Sequence, residues 1–115
     1  MKARTWRVLV VDGDAEVREV VEDLLLDQGF EVRQAANADD ALLELRANAF
    51  DVLLCHLTVL RSVHGRFRRS VHELQPVPRI VAMSAIGAQA RSDEASASLS
   101  KPFTRSQLLE TIRPR

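Results

Sequence analysis

The 115-residue sequence predicts one α/β domain of the doubly wound class, a parallel sheet with helices on both faces. Three observations carry that prediction. Short runs dominated by valine, leucine and isoleucine recur at Val8–Val11, Val52–Cys55 and Arg79–Met83, nearly continuous in their apolar character as in strands covered on both sides. Segments of helical period separate them. Each run also stops at a side chain capable of chemistry, Asp12, His56 or Ser84, and ligands in such folds sit beyond the carboxyl ends of the strands.

The first strand spans Trp6 to Val11. From Ala15 onward Val17, Val20, Val21, Leu24 and Leu25 recur at helical spacing, with Asp14 as the N-cap and Gly29 as the left-handed residue after the helix. Glu31 to Ala35 reads as a second strand. Asn37 then caps a helix that turns Ala41, Leu42, Leu45 and Ala49 to the core. Asp51 to His56 is the third strand. Leu60 to Leu74 reads as one helix burying Val63, Phe67, Val71 and Leu74 despite Gly65, and Pro76 and Pro78 close it. A fourth strand runs from Arg79 to Ala85, and Thr104 caps a last helix built on Leu108, Leu109 and Ile112. Between Ile86 and Leu99 lies GAQARSDEASAS, which holds no large apolar side chain, so a loop or a stunted helix is expected there.

Composition narrows the function. Sixteen basic and sixteen acidic residues cancel, so no global field draws the chain to nucleic acid or to an anionic membrane, and a partner must be recognised locally. The lone Cys55 lies in an apolar run and reads as a buried thiol in a reducing cytoplasm. Neither a signal peptide nor a membrane span is expected from the sequence. Glycine-rich cofactor, phosphate-loop and nucleophile-elbow motifs are absent, which argues against an enzyme. Cys55, His56, His64 and His72 lack zinc-site spacing. Arg61, His64, Arg66, Arg68 and Arg69 form a basic segment, read as a solvated face, with nucleic-acid contact through Arg66–Arg69 as the alternative.

Asp12, His56, Ser84 and the Lys101-Pro102-Phe103 run, in this order along the chain, resemble the receiver domain of bacterial two-component response regulators. The likeness spans nearly all 115 residues and implies a five-stranded sheet of order 2-1-3-4-5, with the fifth strand near Leu99 and the helix between strands four and five shortened. It implies phosphorylation of an aspartate ending strand three, with Mg²⁺ held by acidic residues after strand one, and a hydroxyl and a lysine reading the phosphate. It also implies a cis peptide before Pro102. Asp12, Ser84 and Lys101 stand at retained positions. Gly13 stands where the second acidic residue is usual, and His56 stands where the phosphoacceptor aspartate is usual. Leu60 replaces a proline, Gly65 comes one place late, Ser98 replaces a common aromatic residue, and the segment before Lys101 is shorter than in the family.

In-line phosphoryl transfer rests on positioning and charge neutralisation by the metal. Mg²⁺ prefers octahedral oxygen ligands, so a glycine and an imidazole in place of two carboxylates leave its binding weak or absent, and no cofactor is expected. Asp14 is spaced as a helix cap and is not expected to substitute. The expectation is therefore an atypical receiver that acts through a protein partner, a sensor kinase or an output domain, without aspartyl phosphorylation. A histidine accepting phosphate at His56 is the alternative. His56, Asp12 and Lys101 are expected to form one polar cluster that favours the imidazolium. A homodimer through the fourth-helix face is a further expectation, weakened by the loss of that helix's apolar residues. Either a free-standing domain or an amino-terminal module fits the chain.

Overall fold

The computed structural model describes residues 5–113. Its sheet has five strands in the order β2-β1-β3-β4-β5, all parallel: β1 (Arg7–Val11), β2 (Glu31–Ala35), β3 (Val52–His56), β4 (Arg79–Ser84) and β5 (Ala97–Ser100). The predicted architecture is the observed one. The strand order reverses between β1 and β3, where Val11 pairs with Cys55, so the segments leaving these two strands diverge and open a crevice at the sheet's carboxyl edge.

Alternation along the strands divides the core. Leu9, Val11, Leu53, Cys55, Ile80 and Ala82 face α2 (Ala38–Ala47), α3 (Leu57–Leu60) and α4 (Ser62–His72). Val8, Val10, Val52, Leu54, Val81 and Met83 face α1 (Ala15–Leu26) and α5 (Arg105–Ile112). This two-sided burial explains why the central strands lack polar alternation.

The expected caps are formed. Asp14 accepts the Glu16 N–H at 2.9 Å, Asn37 accepts that of Asp40 at 2.8 Å, and Thr104 forms a reciprocal capping box with Gln107. Gly29 takes φ +87°, the left-handed conformation that ends the first helix.

Some predicted packing is corrected. Val20 is 58% exposed, because Val17, Val21, Leu24 and Leu25 already fill the stripe that α1 presents to the sheet. Ala49 lies beyond the end of α2 and is exposed. The segment read as one helix from Leu60 to Leu74 is broken, since Val63, His64 and Gly65 take φ values of 49°, 54° and 78°. Counting a continuous helical period through this left-handed turn placed Val63 inside, whereas it is 55% exposed; Phe67 and Val71 beyond the turn are buried as expected. A β-branched residue at positive φ is strained, by an amount on the order of 1–3 kcal/mol.

Between β4 and β5 the helix is reduced to one turn, closed by the Ala95 N–H bonding to Arg91 O. Among the described residues no helix is long and apolar enough to cross a membrane.

Candidate functional site

The carboxyl ends of β1, β3, β4 and β5 bring Asp12, His56, Ser84 and Lys101 to one edge of the sheet. Asp12 follows β1 directly and is 4% exposed. Both its carboxylate oxygens are engaged: Oδ2 accepts from Lys101 Nζ at 2.7 Å, and Oδ1 accepts the Asp14 N–H at 2.9 Å. Arg18 Nη1 donates to the Asp12 carbonyl at 2.7 Å, tying α1 to the same loop. Asp14 itself turns to cap α1.

Gly13, between these two aspartates, is exposed and has no positive φ. A Cβ built there meets nothing within 4 Å. Neither backbone conformation nor packing therefore requires glycine at this position.

His56 ends β3 and lies partly buried. Its Nδ1 accepts the Thr58 N–H at 3.2 Å and lies 2.8 Å from Thr58 Oγ1, so the imidazole caps the short α3 turn. A ring nitrogen that accepts the backbone N–H carries no proton, which puts the proton of the neutral ring on Nε2. Among the described residues no hydrogen bond or ion pair joins His56 to Asp12 or Lys101, so the expected three-membered cluster is reduced to the Asp12–Lys101 pair. The expected imidazolium is also reversed. Burial lowers the His56 pKa, Lys101 lowers it further, and Asp12 opposes them.

The sign of the resulting pH dependence follows. A pKa lower in the folded than in the unfolded chain means that this group's stabilising contribution is present above the ordinary value of 6.5 and is lost as pH falls through the folded value. An NMR titration of the His56 ring should give a midpoint below 6.5; a midpoint at or above it would refute the neutral cap.

Ser84, buried at the end of β4, donates from Oγ to Ala88 O at 2.6 Å, and its carbonyl accepts the Lys101 N–H at 2.8 Å. Ser98 Oγ accepts the Ala90 N–H at 3.0 Å, so both serines pin the β4–β5 loop. The Lys101–Pro102 peptide is cis. Cys55 is buried, and burial raises its thiol pKa well above the ordinary range. Among the described residues no group of three His, Cys, Asp or Glu side chains is placed to hold a metal.

One feature had no expectation attached. Glu94, 2% exposed, accepts from Arg61 Nε at 2.8 Å and Nη2 at 2.9 Å, and from the Arg91 N–H at 2.9 Å. The Arg61 guanidinium foremost, with the Arg91 backbone donor, holds its carboxyl down to about 2. This clasp fastens the single turn after β4 to the start of α4 where a full helix would bury apolar side chains. The sequence signal was a carboxylate amid small residues, which reads as solvent-facing until its distant arginine is placed.

A family model described as the response regulator receiver domain matches residues 8–113. The chain belongs to this receiver family. Receivers are signalling modules of two-component systems, and they work with proteins such as kinases and output domains. This receiver is similar to the chemotaxis protein CheY of Bacillus subtilis, 27% identical over 112 residues that cover 92% of this chain and 93% of that protein. It is 28% identical over 110 residues to the transcriptional regulatory protein ZraR of Salmonella typhimurium, a match covering 91% of this chain and 25% of ZraR. The solved chemotaxis response regulator CheY4 of Vibrio cholerae superposes on the receiver with a TM-score of 0.81 at 25% identity, covering 94% of this chain and 96% of that one.

Proposed function

We propose that this receiver signals by protein contact and carries no phosphoryl group on an aspartate. The observation that supports this most directly is the state of Asp12: its two oxygens are committed to Lys101 and to the Asp14 backbone, and among the described residues it belongs to no group of three His, Cys, Asp or Glu side chains that could hold a metal. The residues at this edge do not fit Mg²⁺. Gly13 offers no side-chain ligand, His56 offers an imidazole whose Nδ1 is already engaged with Thr58, and Asp14 Oδ1 is engaged at the helix cap. Without a dication at the transferred group, a dissociative phosphoryl transfer lacks its main charge stabilisation.

On this reading the Asp12–Lys101 pair, the Ser84 and Ser98 contacts and the Glu94 clasp hold the carboxyl edge in one arrangement. That arrangement is what a cytoplasmic sensor kinase or output domain would recognise. The test is direct: the chain is incubated with acetyl phosphate and Mg²⁺ and its intact mass is measured. No mass gain is expected, and amide shifts around Asp12 should not saturate with Mg²⁺. A stable adduct of one phosphoryl group would overturn the proposal, whether it sits on His56 or elsewhere.

A further inference from the structure

The charge of this neutral chain is not spread evenly. From Arg61 to His72 there are four arginines, two histidines and no carboxylate. The carboxylates that approach from the β4–β5 turn are already used: Glu94 by Arg61 and, at 3.6 Å, by Arg91, and Asp93 by Arg91 at 3.1 Å. Arg68 and Arg69 have hydrogen bonds only to backbone carbonyls among the described residues, Arg68 Nη1 to Asp93 O at 3.0 Å and Arg69 Nη1 to His64 O at 2.9 Å.

These two guanidinium groups also converge. A Cβ at Gly65 would lie 3.5 Å from Arg68 Nη2 and 3.5 Å from Arg69 Nη1, so the two nitrogens are no further apart than twice that distance. The left-handed turn at Val63, His64 and Gly65 makes this possible, because it turns the His64 carbonyl to hold Arg69 and leaves no side chain between the two cations. Beside them lies an open cleft of about 360 Å³, lined by Arg61, His64, Gly65, Arg68, Arg91 and Glu94. Two like charges held together without a carboxylate form an arrangement that an anion stabilises.

We propose that a phosphate dianion, either free or as a phosphomonoester on a partner, binds at Gly65 on the edge of this cleft, through Arg68 and Arg69. Guanidinium groups match the tetrahedral oxygens of phosphate with charge-assisted, often bidentate hydrogen bonds. The converging geometry favours a compact anion over an extended one. A duplex lying along α4 would also approach α2, in the same core layer, whose first turn carries the exposed Asp39 and Asp40. The cleft lies between α4 and the β4–β5 turn and borders the Glu94 clasp, but the two arginines that would hold the anion belong neither to that clasp nor to the Asp12–Lys101 pair, so loss of phosphate binding here and phosphorylation at the carboxyl edge are separate outcomes.

The experiment is an NMR titration of the whole chain with inorganic phosphate at constant ionic strength, read at the arginine Nε–H and Gly65 amide signals, with chloride as the comparison. Saturable shifts are expected with phosphate alone. R68Q or R69Q should weaken the apparent affinity by about tenfold, as loss of one charged hydrogen bond implies. R46Q, at the far end of α2, should leave it unchanged. A phosphoserine peptide that binds more tightly than inorganic phosphate assigns the anion to a partner, and equal affinity assigns it to a free phosphate. Shifts that stay linear, that chloride reproduces, or that persist in folded R68Q and R69Q would overturn the site. So would a DNA duplex that saturates these signals when inorganic phosphate does not, which would put a distributed basic face in place of a pocket.

Discussion

The double variant Gly13→Asp/His56→Asp should take a phosphoryl group from acetyl phosphate in the presence of Mg²⁺, under conditions in which the parent chain is expected to take none. The space for the first substitution exists, since a Cβ at Gly13 touches nothing within 4 Å and the backbone there has no positive φ. The second substitution keeps the local fold, because an aspartate at the end of β3 can accept the Thr58 N–H that the imidazole accepts now. Together with Asp12 the variant would offer three carboxylates to one cation, the hard-oxygen set that Mg²⁺ requires. Binding on the order of 1 mM corresponds to about 4 kcal/mol and is readily measured. Without the metal the crowded carboxylates repel, so the variant should melt below the parent and regain stability as Mg²⁺ is added. A variant that folds, binds no Mg²⁺ and gains no mass would show that Gly13 and His56 are not what the proposed loss of phosphorylation rests on.

The second large effect concerns the ion pair that holds the carboxyl edge. Lys101→Met should destabilise the fold by about 2–4 kcal/mol, measured by urea unfolding, because it leaves the Asp12 carboxylate buried with only the Asp14 N–H as a side-chain partner. The lysine is about one-quarter exposed, which keeps the figure below that for a fully buried pair. Asp12→Asn/Lys101→Met removes both charges and should recover more than half of the loss. If the single and double variants are equally unstable, the lysine contributes by packing and not by pairing with Asp12.

Much of this was legible in one dimension. The apolar runs at Val8–Val11, Val52–Cys55 and Arg79–Met83 define buried parallel strands because only two-sided coverage tolerates such continuous hydrophobicity. Asp14, Asn37 and Thr104 cap their helices through bonds to residues two or three positions away. Asp12, Ser84 and Lys101 could be set side by side because each ends or follows a strand, and parallel strands end together.

The misreadings have a common source. His56 was expected to meet Asp12 and instead bonds with Thr58, two residues along, because the chain turns into α3 at once and brings that backbone donor to Nδ1. Val63 was counted as core because helical periodicity presumes an unbroken helix, and the left-handed turn at Gly65 breaks it. Glu94 drew no expectation at all, because its partner Arg61 lies thirty-three residues earlier.

The sequence by itself determined the strands, the helix caps, the core faces of most helices and the edge at which the candidate residues gather. These depend on hydrophobic period and on hydrogen bonds between near neighbours. The tertiary structure decided which charges pair: Lys101 with Asp12 to the exclusion of His56, Glu94 with Arg61, and Arg68 beside Arg69 without a carboxylate. Pairing energy depends on distance and burial in space, and neither is a function of separation along the chain.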